Sequence, residues 1–232
     1  MKSARSRYRG HRFPPEIISY AVWAYHRFCV SFRDVEDLLA ERDISVSYEA
    51  IRRWCRKFGP DYAKRLKKKQ GRLGDTCHLD EVFVKIDGQQ QYLWRAVDQD
   101  GDVIDILLQS RREQHAAERF LRRLVRGQGK EPFRIITDKL KSYAAAKRTI
   151  LPGVTHDMQQ YANNRAELSH QPTRMRERQM RRFKSPRQAQ RFLSAHGIIT
   201  NLFRVGRHHL SSSNHRLLRS RSFSIWRDVT AA

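Results

Sequence analysis

Acidic residues are scarce in this chain of 232 residues. It contains 24 Asp and Glu against 47 Lys and Arg, and the formal net charge at pH 7 is +23. A surplus of positive charge on this scale creates a field that attracts polyanions. Nucleic acid is therefore the expected partner. An anionic membrane surface or a merely solvated basic surface is the weaker interpretation.

Cysteine and long hydrophobic runs are also lacking. Cys29, Cys55 and Cys77 are odd in number and widely spaced, so they match neither a disulfide framework nor a zinc pattern. No apolar run approaches the ~18 residues of a membrane span, and the basic N-terminus lacks the apolar stretch of a secretory signal. These absences favour a cytoplasmic protein without a membrane segment.

The first quarter of the chain is predicted to be helical. Residues 15–58 have the spacing of three short helices, with Pro15 at a first helical position. The segment from Ser31 to Asp34, S-F-R-D, has the form of a capping box at the start of the second helix. We expect the third helix to end at Gly59–Pro60, which together form a stop signal.

The third predicted helix is basic on its outer side. Arg52, Arg53 and Arg56 project away from its apolar stripe, as in the recognition helix of a helix-turn-helix, where cations contact phosphates and guanine edges. An ordinary three-helix bundle with a solvated basic face is the alternative. We assign residues 1–60 to a helix-turn-helix DNA-binding domain and residues 61–75 to a basic linker.

From residue 77 the hydrophobic pattern becomes that of strands. We predict the order βββαβαβα, in which three antiparallel strands come first and the fourth strand lies beside the first. The predicted strands are 77–86, 91–97, 102–108, 133–137 and 154–158, and the predicted helices include 111–125, 141–151 and 185–205. This order predicts an α/β (α+β) fold in which helices pack against a mixed sheet.

Three acids occupy informative positions in this basic chain. Asp80 lies within the first strand among apolar residues, where a carboxylate is usually paired or metal-bound. Asp138 follows the fourth strand at its carboxyl end, where open sheets place ligands. Glu167 lies in a later helical segment among cations. Glu81 points to the opposite face of its strand, so only one of Asp80 and Glu81 is expected to join the site.

Converging carboxylates repel one another unless cations neutralise them. Mg²⁺ or Mn²⁺ suits such hard oxygen ligands, and two ions about 3.5–4 Å apart form the clamp used for in-line displacement at a phosphodiester. Two structural alternatives stay open from these residues alone. Asp138 is placed equally well to cap a following helix, and Glu167 to form a salt bridge with Arg165 or Arg174.

Five segments of the chain, taken in order, resemble successive blocks of one family. They are HLDEVFVKIDG (78–88), RAVDQDGDVIDILLQSRR (95–112), IITDKLKSYAAA (135–146), YANNRAELSHQPTR (161–174) and RRFKSPRQAQRFLSAHG (181–197). They resemble the DDE-type transposases of bacterial insertion sequences, in particular the small elements that move by forming cointegrates (the insertion-sequence six family). The resemblance covers nearly the whole chain, including the N-terminal helix-turn-helix.

The resemblance implies a ribonuclease-H-like catalytic core, related to retroviral integrases, over residues 76–205. A basic C-terminal tail, residues 206–232, would follow it. The three catalytic metal ligands of the family map onto Asp80 in L-D-E-V, Asp138 in T-D-K and Glu167 in N-N-R-A-E.

Two basic residues of the family pattern match as well, and both are expected to contact DNA. Lys139 follows the second aspartate, and Arg174 lies seven positions after the glutamate. One departure concerns spacing, because the 28 residues 139–166 between Asp138 and Glu167 are fewer than is commonest in such enzymes. The shortening falls between motifs and removes none of them.

The function implied is that of a transposase. It would bind the terminal inverted repeats of its element, cleave their 3′ ends and transfer the strands into target DNA, with two Mg²⁺ ions as cofactor and Mn²⁺ able to substitute. The partner would be double-stranded DNA at the bacterial nucleoid, and a homodimer or larger synaptic assembly is expected. The alternatives are a helix-turn-helix regulator without catalytic activity and a metal-dependent nuclease of the same fold.

Overall fold

The computed structural model describes residues 7–69, 75–138, 140–159, 163, 171–179, 183–204 and 210–231. The chain divides into two compact units. The helical unit comprises Met1–Lys69 and Ile199–Ala232, and the sheet unit comprises Gln70–Ile198. Within the described ranges, no helix is long and apolar enough to cross a membrane.

The helical unit begins with three helices, as predicted. They are α1 (Pro15–Arg27), α2 (Phe32–Ala40) and α3 (Tyr48–Lys69). The predicted capping box of α2 is confirmed, since the hydroxyl of Ser31 accepts from the amide of Asp34 at 3.1 Å and the carboxylate of Asp34 accepts from the amide of Ser31 at 2.8 Å. Both bonds satisfy amide groups that a helix start otherwise leaves without partners.

The predicted end of the third helix is wrong, because α3 continues through Gly59 and Pro60 to Lys69. A proline inside a helix removes one backbone hydrogen bond. Burial of the next two turns offsets that loss, since Tyr62 is 0 % and Leu66 1 % exposed. Gly59 has its own packing reason, as a Cβ there would lie 2.7 Å from the His26 ring nitrogen Nε2. Residues 61–69 of the predicted linker are therefore helical.

The segment predicted as a basic tail contains a further helix of the helical unit, Ser212–Thr230. We number it α8, because the four helices α4 to α7, introduced below, precede it in the chain. Trp226 is 4 % exposed, and its ring lies edge-on to that of Tyr62 with the centroids 5.4 Å apart. Arg7 donates to the carbonyl of Val229 at 2.8 Å. One face of α8 thus packs into the unit, while Leu217 remains 68 % exposed.

The sheet unit contains the mixed sheet that the sequence predicts. The strands are β1 (Thr76–Ile86), β2 (Gln89–Asp98), β3 (Val103–Gln109), β4 (Arg134–Ile136) and β5 (Thr155–Asp157). Their spatial order is β3-β2-β1-β4-β5, with β1, β2 and β3 antiparallel and β4 and β5 parallel to β1. This is a ribonuclease-H-like arrangement, and it confirms the predicted fold class.

The helices of the sheet unit are α4 (Gln114–Gln128), α5 (Lys141–Ile150), α6 (Gln171–Gln179) and most of α7 (Pro186–Phe203). Helices α4 and α5 cover one face of the sheet, where Trp94 and Tyr143 meet edge-on with centroids 5.3 Å apart. Ser185 caps α7 as predicted, since its hydroxyl accepts from the amide of Gln188 at 3.2 Å. Gln190 of α7 bonds the backbone of the edge strand β3 at Ile106 and Leu108, which covers part of that edge.

Candidate active site

Asp80 lies on β1, and Asp138 follows the neighbouring strand β4 by two residues. In the parallel pairing of β1 with β4, His78 stands opposite Ile136. Continuing that register by two residues places Asp80 of β1 level with Asp138, which follows β4. Asp80 is 8 % exposed, whereas the side chain of Asp138 is 42 % exposed. The sheet therefore brings together two of the three predicted acids at the carboxyl end of β4.

Both carboxylate oxygens of Asp138 face donors. Its Oδ1 accepts from the amide of Leu140 at 3.0 Å, and its Oδ2 lies 3.7 Å from Nη2 of Arg112. The N-cap of α5 is Leu140 and has no side-chain cap bond. Asp138 consequently stabilises the turn before α5, because Asp side chains commonly accept from the backbone amide two residues later. Its other oxygen, Oδ2, faces the guanidinium of Arg112.

Glu81 of β1 is linked to Asp138 through Arg112. Arg112 donates through Nε to Glu81 Oε1 at 2.7 Å and through Nη2 to the same oxygen. The same Nη2 reaches Asp138. Arg112 can therefore bridge Glu81 and Asp138.

Negative charge accumulates at this edge of the sheet. Burial, and then the charge of Asp138, raises the pKa of Glu81 to about 7, against the lowering effect of Arg112. Burial raises the pKa of Tyr143 well above its ordinary value, and the charges of Glu81, Asp80 and Asp138 add to the rise. A cation near these carboxylates would lower the electrostatic free energy of the site.

A second arginine stands beside the first aspartate. Arg95 of β2 is directly opposite Asp80 in the antiparallel register and is only 2 % exposed. Residues opposite each other in such a pair have Cβ atoms about 4.5–5.5 Å apart. Sequence reasoning missed both Arg95 and Arg112. A charged residue in the middle of the apolar strand QYLWRAV was the available signal for Arg95, and Arg112 carried no comparable signal.

Two predicted site residues, Glu167 and Lys139, lie outside the described residues. The chain four residues before Glu167 is nevertheless attached to β1, because Asn163 donates to the carbonyl of Leu79 at 2.8 Å and is 7 % exposed. Arg174 lies on α6 and is exposed. Pro172 is the second residue of that helix, where a missing amide hydrogen costs nothing.

The three predicted DNA-contacting arginines of α3 differ in their surroundings. Arg52 is half-buried and pairs with Glu49 one turn earlier, at 2.9 Å. Arg53 and Arg56 are exposed. The electrostatic attraction of α3 for a polyanion therefore rests more on Arg53 and Arg56 than on Arg52.

The donor chemistry at the sheet edge fits a divalent cation. Asp80 and Asp138 supply hard oxygen ligands, which Mg²⁺ and Mn²⁺ prefer, at a place where negative charge is in excess. Among the residues that the structure describes, no group of three His, Cys, Asp or Glu side chains is assembled for a metal. Asp80 and Asp138 of the predicted set belong to the described residues, and the third position, Glu167, falls outside them.

Comparison with known proteins identifies the family of this chain. Residues 74–206 match a family described as a DDE domain. A transposase for the insertion sequence-like element IS431mec of Staphylococcus aureus is 32 % identical over 174 residues, which are 73 % of this chain and 77 % of the relative. A transposase for the element IS257 in transposon Tn4003 of the same species is 31 % identical over 174 residues, with the same coverage of both chains.

Solved structures give more distant similarity. The catalytic domain of Mos1 mariner transposase is 14 % identical, with a TM-score of 0.41 over 76 % of this chain and 92 % of that chain. The strand order of the sheet, with Asp80 on β1 and Asp138 directly after β4, defines a fold of the ribonuclease-H-like class. With the family match over residues 74–206 and the two relatives, the chain belongs to the DDE transposases of insertion sequences.

Proposed function

We propose that this protein binds the terminal inverted repeats of an insertion sequence, cleaves the 3′ ends and transfers them into target DNA. The single observation that supports this most directly is the parallel pairing of β1, which carries Asp80, with β4, which Asp138 follows by two residues. With Glu167 as the third acid, these residues would form the ligand set for two divalent cations.

The chemistry would proceed in two displacements at phosphorus. Water first breaks the phosphodiester at the element end and leaves a 3′-hydroxyl. That hydroxyl then forms a bond to a target phosphate, and the target strand leaves as its own 3′-hydroxyl. The divalent cations, when bound, would supply charge neutralisation and activation of the attacking oxygen. No covalent bond to the protein is required.

The contribution of the chain itself is positioning. Asp80 is fixed inside a central strand, and Asp138 is held by the Leu140 amide and Arg112. Arg53 and Arg56 of α3 would hold the DNA end through phosphates, which fix register, and base edges, which specify sequence. Arg174 and Lys139 would contact the backbone near the reacting phosphate.

We infer that the working species is a homodimer or a larger assembly, because two element ends must be joined to one target. Size determination by light scattering, with and without end DNA, would test this inference. A species that stays monomeric while it joins paired ends would contradict it.

The decisive experiment uses purified protein, Mg²⁺ and a duplex that carries a candidate inverted repeat taken from the DNA that flanks the gene. Joined products support the transposase. Cleavage without joining would indicate a nuclease of the same fold, and sequence-specific binding without cleavage would indicate a regulator. A duplex with a scrambled repeat is the control, and equal reaction on both duplexes would contradict end recognition.

A further inference from the structure

Arg112 is the cation that contacts two carboxylates of the site at once. We propose that Arg112, held in place by Glu81, is a positioning residue that orients the Asp138 carboxylate for metal binding. The inference rests on the proposed function, because it assigns Asp138 the role of metal ligand. It assigns a role at the site to Arg112 and Glu81, neither of which is a member of the DDE triad.

The guanidinium of Arg112 is fixed from two directions. Glu81, whose side chain is 1 % exposed, accepts from both Nε and Nη2 of Arg112 on one oxygen. The ring of Phe83, two residues further along the same face of β1, lies 5.5 Å from the guanidinium carbon. A guanidinium that is hydrogen-bonded at its edge by a carboxylate and packed on its face against an aromatic ring has little freedom to move.

The fixed guanidinium in turn restrains Asp138. Its Nη2 lies 3.7 Å from Oδ2 of Asp138, while Oδ1 accepts from the amide of Leu140 at 3.0 Å. The carboxylate therefore has a donor or a cation on each oxygen, and its rotation about the Cβ–Cγ bond is limited. Groups that contact a ligating carboxylate from outside the ligand set orient it, and their loss typically costs about 10–100-fold in metal affinity.

Glu81 also compensates the positive charge of Arg112. An arginine this close to Asp138 would compete with a divalent cation for the same carboxylate if its charge were uncompensated. The buried carboxylate of Glu81 compensates that charge through direct contact. When Glu81 is ionised, the Glu81–Arg112 pair can orient Asp138 without adding net charge to the site.

The variants separate positioning from plain structural support. Arg112→Gln alone leaves the Glu81 carboxylate buried and unpaired, which is destabilising. The double variant Glu81→Gln with Arg112→Gln removes both charges and lets the two amides pair, so it should fold. Arg112→Lys keeps the positive charge but replaces the planar guanidinium by a single ammonium group. Arg111→Gln is the matched control, because Arg111 is the neighbouring arginine and its side chain is 75 % exposed.

Two readouts apply to the full-length protein. One is Mg²⁺ binding by titration calorimetry without DNA, and the other is the Mg²⁺ concentration that gives half-maximal joining of end DNA, each measured alongside the melting temperature. We expect the double variant to melt near wild type and to need about tenfold more Mg²⁺ in both assays. The Mg²⁺ requirement of Arg112→Lys should lie between those of wild type and the double variant, and that of Arg111→Gln should match wild type.

Two results would overturn the inference while leaving the proposed function intact. One is a double variant that binds Mg²⁺ and joins ends at the wild-type Mg²⁺ concentration. The other is a double variant whose melting temperature falls while its Mg²⁺ requirement stays unchanged, which would reduce the pair to structural support. If wild type and Arg111→Gln neither bind Mg²⁺ nor join ends, the proposed function fails, and this inference fails with it.

Discussion

The side-chain amide of Asn163 donates a 2.8 Å hydrogen bond to the backbone carbonyl of Leu79, the residue before Asp80. This bond ties the segment that leads to Glu167 to the strand that carries the first acid. Asn163 is 84 residues away from Leu79 in sequence, so the bond is a long-range restraint within the site.

We expect Asn163→Asp to reduce joining by about 100-fold, because a carboxylate cannot donate to the Leu79 carbonyl and a small displacement of a catalytic group is costly. The rate of strand transfer under saturating Mg²⁺ measures the effect. Gln99→Ala removes an amide from the exposed β2–β3 turn and serves as control. Equal rates for the two variants would show that the bond does not position the site.

Replacement of either strand-end aspartate should abolish chemistry and spare end binding. Asp80→Asn and Asp138→Asn each remove one charge and one ligand oxygen, and joining should fall to background. Gel-shift titration with end DNA should give wild-type affinity or slightly tighter binding, since a negative charge near the DNA is lost. Asp87→Asn is the control, because Asp87 lies in the β1–β2 turn with φ 49°, which Asn tolerates. A joining-competent Asp138→Asn variant would disprove the triad.

Salt dependence should distinguish the arginines of α3. Each phosphate contact contributes about 0.9 to the slope of log K against log salt concentration, so Arg53→Gln and Arg56→Gln should each lower the slope by about that amount. Arg52→Gln should have a smaller effect, because Arg52 is already paired with Glu49. Fluorescence anisotropy at several salt concentrations measures the slope.

The control for the salt experiment is Arg126→Gln, on the exposed side of α4, which removes the same charge from a different unit. If Arg126→Gln lowers the slope as much as Arg53→Gln does, then binding responds to net charge alone and α3 has no special role.

Helix α8 should stabilise the helical unit through the buried face that carries Trp226. Trp226→Ala is expected to cost about 3–5 kcal/mol, because it empties a buried site against Tyr62. Leu217→Ala, on the same helix but 68 % exposed, should change stability by less than about 0.5 kcal/mol. Scanning calorimetry of both variants tests the pair. Similar losses in the two would mean that α8 does not pack as the structure shows.

Alkaline pH should weaken the helical unit through two buried tyrosines. Burial, as the largest cause, raises the pKa of Tyr8 and that of Tyr62, and their hydroxyls are 2.6 Å apart. Because the neutral phenols are favoured in the folded chain, their contribution is complete below the ordinary tyrosine pKa of about 10 and is lost as the pH rises above it.

Urea unfolding at pH 8 to 11 measures this contribution. Wild type should lose stability above about pH 10 more steeply than Tyr62→Phe, which has one fewer group to ionise. Parallel curves for the two proteins in that range would contradict the assignment.

Much of the fold followed from local patterns in the sequence. Several features depend on neighbours a few residues apart, which the sequence displays directly. They are the three N-terminal helices, the capping box at Ser31, the cap at Ser185 and the order of the five strands along the chain. The end of α3 was misjudged because Gly59–Pro60 is a local stop signal, whereas burial of Tyr62 and Leu66 is a tertiary effect. The same limit applies to residues 212–230, whose basic composition concealed a packed helix.

The sequence by itself determined the class of the protein, because five segments resemble one family in order. It also predicted Asp80 and Asp138 as site residues, because both are carboxylates beside apolar strands in a basic chain. Only the tertiary structure decided what surrounds them. Arg112 contacts Glu81 across 31 residues of sequence, and Arg95 reaches its place opposite Asp80 through strand register. No local pattern encodes these contacts, since they arise when separate strands and turns pack and bury charges that must then be compensated.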